Sequence, residues 1–120
     1  EAQMLRGIWN LQPTALVRYE RTPFVGAHDR KFRITVDRGL CGFWEPPSLI
    51  GAFPLMRCME GYTVIELKCN HAIPEWFHAL IQDLELQRTA YSKYAMVVWG
   101  LRPSLFENHI PLPHRLTVFC

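Results

Sequence analysis

Two stretches of the chain alternate residue by residue between apolar and polar. In KFRITVD (31–37), Phe32, Ile34 and Val36 fall on one side, with Lys31, Arg33, Thr35 and Asp37 on the other. This is the period of a half-buried β-strand. YTVIELKC (62–69) repeats it: Val64, Glu66 and Lys68 share one face, and Ile65, Leu67 and Cys69 share the opposite one. ALVRYERT (15–22) reads as a strand ended by Pro23, followed by a turn in FVGAHD where Gly26 and Asp29 supply the flexible and polar positions. From Arg38 to Met59, Gly39, Gly42, Pro46, Pro47, Gly51 and Pro54 predict a long irregular connection, with a short helix or strand near Leu49–Met56. Pro74 opens a helix in which Trp76, Phe77, Leu80, Ile81 and Leu84 recur at helical spacing, predicting a packed apolar stripe. YSKYAMVVW (91–99) reads as a further strand closed by Gly100 and Pro103, and the tail LTVFC as one more.

Strands thus outnumber helices, and the pattern predicts an α+β fold: an antiparallel sheet of four to six strands with one amphipathic helix packed outside. A sheet whose strands carry charge on one face has two options. That face meets water, or it lines the interior of a small closed barrel. The alternation is the same in both.

Composition narrows the class. At 120 residues, with 49% apolar and 20% charged, the chain is one domain able to bury a real core, and disorder is not expected. A formal net charge of +2 is too small to mark a nucleic-acid protein, so any anion site must come from where the cations sit. Cys41, Cys58, Cys69 and Cys120 form no CxxC pair and have no histidine at zinc-finger spacing; free thiols in a reducing, cytoplasmic setting are expected. His28, His71, His78, His109 and His114 are scattered and read as surface residues. Tyr94–Leu101 is too short an apolar run to cross a bilayer, and EAQMLRGIWN lacks the apolar segment of a signal peptide. A first residue of Glu1 fits a processed or truncated piece.

The charged faces carry the candidate chemistry. Lys31 and Arg33 project from one strand, Glu66 and Lys68 from another, Lys93 from 91–99, and Arg18 and Arg21 from opposite sides of 15–22. Arginine offers forked N–H pairs to adjacent phosphate oxygens and lysine a compact point charge. A lone carboxylate among them suits an oxygen ligand for Mg²⁺ or Mn²⁺ better than a phosphate contact. The plain alternative is an exposed face of cross-strand ion pairs.

LQPTALVRYERTPFVGAHDRKFRITVDRGL resembles the Y-x-R-T-x-F, Asp and R-I-[ST]-[LV]-D sequence of VTC-type polyphosphate polymerases. YTVIELKCNHAIPEWFHALIQDLELQRTAYSKY resembles that family's E-x-K strand, Pro-led helix and S-K-[FY], in the same order and covering roughly 11–99. The resemblance implies part of the antiparallel tunnel barrel shared with the CYTH, or triphosphate tunnel metalloenzyme, superfamily. It implies that Arg21, Arg33, Lys68 and Lys93 hold phosphates and that Glu66 ligates Mn²⁺ or Mg²⁺. Its substrates would be polyphosphate or a nucleoside triphosphate, its reaction polymerase-like phosphoryl transfer or triphosphate cleavage. The family's N-terminal strands have no counterpart, and Ala90 stands where some members carry a second lysine. Residues 1–120 are therefore expected to form a partial tunnel domain completed by a second copy or a further segment. A non-catalytic polyanion-binding module is the alternative. A barrel for an apolar ligand is a third reading, opposed by the cost of burying those charges unpaired.

Overall fold

A computed structural model describes residues 11–48, 50–70, 72–105 and 117–119, with Met4, Gly7 and Trp9 of the leading segment. Two long antiparallel strands, β1 (Ala15–Val25) and β2 (Arg33–Trp44), form its spine. β3 (Met56–Arg57) and β4 (Thr63–Lys68) both pair antiparallel with β2. Helix α1 (Glu75–Asp83), β5 (Gln87–Arg88), helix α2 (Lys93–Leu101), a 3₁₀ turn (Pro103–Leu105) and β6 (Thr117–Phe119) follow. The sheet order is β1-β2-β4-β6-β5, with β6 parallel to both neighbours. The architecture is α+β and mainly antiparallel, as expected, but the sheet is open among the described residues. None of their helices is long and apolar enough to cross a membrane.

Both spine strands run further than the punctuation in the sequence suggests. β1 continues through Pro23, which pairs with Thr35. Among the described strands, β1 lies at the edge of the sheet, the place where a strand tolerates proline. β2 continues through both glycines expected to begin a loop. Gly39 adopts φ +62° where the β1–β2 register slips at Arg18/Glu20, a left-handed backbone that glycine tolerates. Gly42 lies under α2, where a Cβ would collide with the Val97 side chain and the Leu16 carbonyl. The expected long connection shrinks accordingly, and where the sequence predicts a short helix or strand near Leu49–Met56, the two-residue β3 begins at the last of those residues.

Residues 91–99 correct the expectation of a strand: they are largely α2. Their apolar run has no alternation, and an uninterrupted apolar segment of that length does not distinguish a buried strand from a buried helix. Ser92 decides the matter, its Oγ accepting from the Ala95 N–H at 3.3 Å as an N-cap. Among the described residues, α1 and α2 therefore pack on opposite faces of the sheet. α1 covers the face of Phe32, Ile34, Ile65 and Leu67, where Phe77 and Leu86 complete a core. Phe77 meets Phe32 edge-on at 5.8 Å. Cys69 packs there too, as its parity predicts. Only part of the α1 stripe is used, since Trp76, Leu80 and Leu84 remain exposed. On the opposite face, Met96 and Val97 of α2 pack with Leu40 and Cys58, joined by Val17, Tyr19 and Tyr91. Cys41, Cys58 and Cys69 are free thiols. His28 and His78 are exposed; Cys120, His71, His109 and His114 lie outside the described residues.

Candidate functional site: a cation cluster on one sheet face

The face covered by α2 at one end carries the charges at the other. Strand pairing sets Arg21 of β1 beside Asp37 of β2, Thr35 of β2 beside Glu66 of β4, and Arg33 beside Lys68. The same parity therefore brings Arg21, Arg33, Asp37, Glu66 and Lys68 onto one surface. Lys93 reaches the same point from the first turn of α2. The S-K pair thus has a local explanation: serine caps the helix, and the next residue is aimed at the sheet.

Asp37 is the centre. Its side chain is only 2% exposed. Arg21 grips it with a two-pronged bond, Nε donating to Oδ1 at 2.7 Å and Nη2 to Oδ2 at 2.8 Å. Lys93 Nζ adds a 2.8 Å contact to Oδ2. Burial by itself would push this carboxyl upward; the hydrogen bonds from Arg21 and Lys93 outweigh it and hold the group below its ordinary value. The same bond raises the Arg21 guanidinium. Tyr19 forms the floor beneath both cations, with Arg21 and Lys93 each 5.2 Å from its ring centre. Tyr91 lines the small cleft beside Asp37 and Lys93, and burial, followed by the negative Asp37, pushes its phenol up to about 12.

Glu66 sits one step toward solvent, its side chain 21% exposed. Lys68 donates to Oε1 at 3.0 Å, while Arg21 and Lys93 approach Oε2 at 3.2 and 3.5 Å. The hydrogen bond from Lys68 is the main cause of a lowered Glu66 pKa, with the charges of Lys93 and Arg21 adding to it against partial burial. Lys68 is 60% exposed. Arg33, also exposed, makes no ion pair among the described residues. Four cations thus face two carboxylates, an excess of positive charge at the Arg33–Lys68 end.

As a metal centre the arrangement is sparse. The described residues hold no group of three His, Cys, Asp or Glu side chains placed to share an ion. Every oxygen of Asp37 and Glu66 already faces a cation. A divalent ion needs about six oxygens, more than these two engaged carboxylates offer. Of the two, Glu66 is the less buried and has the longer contacts.

Of the residues expected to form the site, Arg21, Lys68 and Lys93 all contact Glu66, and Arg33 is the cross-strand neighbour of Lys68. Lys93 arrives from a helix instead of a strand, and over Tyr19 instead of its sequence neighbours Tyr91 and Tyr94. Arg18 stands apart, in an open groove of about 580 Å³ with Arg57 and Cys41. Sequence reasoning undervalued Asp37 and missed Tyr19. A signal for Asp37 was present: a lone acid ending a strand whose same face carries Arg33, and which must be paired with a cation if covered.

No curated protein and no solved structure matches the chain. The model of the VTC domain family, associated with polyphosphate polymerases, matches residues 1–100, and with the two motif blocks now assembled on one sheet face the chain belongs to that family.

Proposed function

We propose that the chain grips a polyphosphate or triphosphate chain with Arg21, Arg33, Lys68 and Lys93. The supporting observation is their assembly on a single sheet face with more positive than negative charge. Each phosphate needs a matched donor, and successive phosphates would meet Arg33 and Lys68 first and the Arg21–Lys93 pair next. Asp37 holds that pair in position, so little side-chain order is lost on binding. A neutral or apolar ligand would leave these cations unmatched and is disfavoured.

In this reading the charged face is one wall of a tunnel. A second copy or a further segment supplies the facing wall, and β1, at the edge of the sheet among the described strands, offers a place for it to join. Phosphoryl transfer or triphosphate cleavage belongs to that completed tunnel; the chain alone is a polyanion binder. Mn²⁺ or Mg²⁺, held between Glu66 and phosphate oxygens, would neutralise charge on the transferring group. Lys93 and Arg21 orient the phosphates, and Lys68 and Arg33 draw the chain in.

Titration with polyphosphate at two salt concentrations tests the grip. Affinity should fall as salt rises, and Arg33→Ala with Lys68→Ala should weaken low-salt binding about tenfold or more. Binding that is absent at low salt, or indifferent to salt and to the double substitution, would refute the reading. Incubation with ATP and Mn²⁺, scored for orthophosphate or polymer, separates an enzyme from a binder.

A further inference from the structure

The two carboxylates in the cation cluster are built differently. Asp37 is buried and held by its partners at 2.7 to 2.8 Å. Glu66 is partly exposed, and its contacts run from 3.0 to 3.5 Å. Glu66 nevertheless touches Arg21, Lys68 and Lys93, three of the four cations assigned to phosphate. Its oxygens occupy donors that a phosphate oxygen of similar charge would use. Removing Glu66 would not free Arg21 or Lys93 to wander, because both stay anchored on Asp37.

We propose that Glu66 is a displaceable counter-ion, occupying the phosphate-binding cations until a polyanion drives it off. The inference rests on the polyphosphate reading above and adds a division of labour to it. Asp37 is the fixed anchor that positions the cations. Glu66 is the place-holder that keeps them neutralised when no ligand is bound. Glu66 therefore opposes polyanion binding, whereas Asp37 supports it.

The test is binding of fluorescently labelled polyphosphate, followed by anisotropy in EDTA, with folding checked by thermal melting. In EDTA, Glu66→Gln should bind about three- to tenfold more tightly than wild type, the scale of removing one like charge from a solvated contact. Glu66→Ala should shift in the same direction, so a folding defect in one variant does not decide the result. Asp37→Asn should give no such gain, because its loss releases the anchor; an equal gain there would reduce the effect to general charge and overturn the assignment. If wild type binds in EDTA and the Glu66 variants bind no better, the place-holder role is wrong while the binding site stands. If no variant nor wild type binds at low salt, the polyphosphate reading fails and takes this inference with it.

Discussion

The two faces of the sheet are covered by helices of equal length, yet they hold together by different physics. Under α1, Phe32, Leu67, Phe77 and Leu86 make a dry contact between apolar side chains. Under the first turn of α2, Asp37 is more deeply buried than Phe32 or Leu86, and it is held by two cations that lie over an aromatic ring. Apolar burial is non-directional and tolerates any partner of similar shape. A buried carboxylate is stable only with its donors in place. The first face therefore needs volume, and the second needs particular partners.

The largest effect should come from the first face. Phe77→Ala empties a site that is 2% exposed and should cost about 3–5 kcal/mol, the usual toll for a buried phenylalanine. A melting series should show that loss nearly unchanged by salt or by mildly acidic pH. A loss of that size, against a stability of about 5–15 kcal/mol, brings a small domain close to unfolding.

Asp37→Ala should come next, at about 2–3 kcal/mol. Losing one partner of a buried ion pair can cost more than that, but the Arg21 side chain is 36% exposed and recovers some hydration. Its pH dependence separates it from Phe77. The folded-state pKa of Asp37 is lowered, so the stability it contributes is fully present above its ordinary value of 3.8. That contribution is lost as pH falls through the lower folded value. The gap in melting temperature between wild type and Asp37→Ala should hold steady near neutrality and close only in strong acid. A gap that already closed between pH 7 and 5 would mean that Asp37 is not held as described.

The contrast between the faces also explains what could be read in advance. Strict alternation at 31–37 and 62–69 placed Phe32, Ile34, Ile65, Leu67 and Cys69 on the side that packs in the core, because period two has one structural meaning. It gave Arg33 the polar side of one strand and put Glu66 with Lys68 on one side of the other; the β2–β4 pairing joins them. It did not show that Arg21 would join them, since which β1 residue meets Asp37 depends on pairing and on the register slip at Arg18/Glu20. The glycines at 39 and 42 were opaque for a related reason. One serves a register slip and the other the close approach of a helix, and neither partner is visible within a local window. Residues 91–99 misled because valine and tryptophan suit strands, whereas packing of Met96 and Val97 on the sheet imposes a helix. Trp76, Leu80 and Leu84 show the converse: helical spacing identified the helix but overstated how much of it is covered.

Ser92 gives the smallest and sharpest comparison, because it belongs to the local structure of α2 and to the ion cluster at once. Ser92→Ala removes the hydroxyl that accepts from the Ala95 N–H and should cost about 1 kcal/mol, typical for an N-cap. A cap that only stabilised the helix would leave polyphosphate affinity alone once the protein is folded. Lys93 is the next residue, however, and its 2.8 Å contact with Asp37 depends on where the first turn begins. Fraying of that turn should therefore weaken binding about two- to threefold in fully folded protein, within the range of a single misplaced charge contact. Ser92→Asp, which restores a cap, should recover the stability, while its added negative charge beside Lys93 keeps the affinity low. Unchanged affinity in fully folded Ser92→Ala would mean that the hydroxyl serves the helix alone, and that Lys93 is aimed by the sheet beneath it.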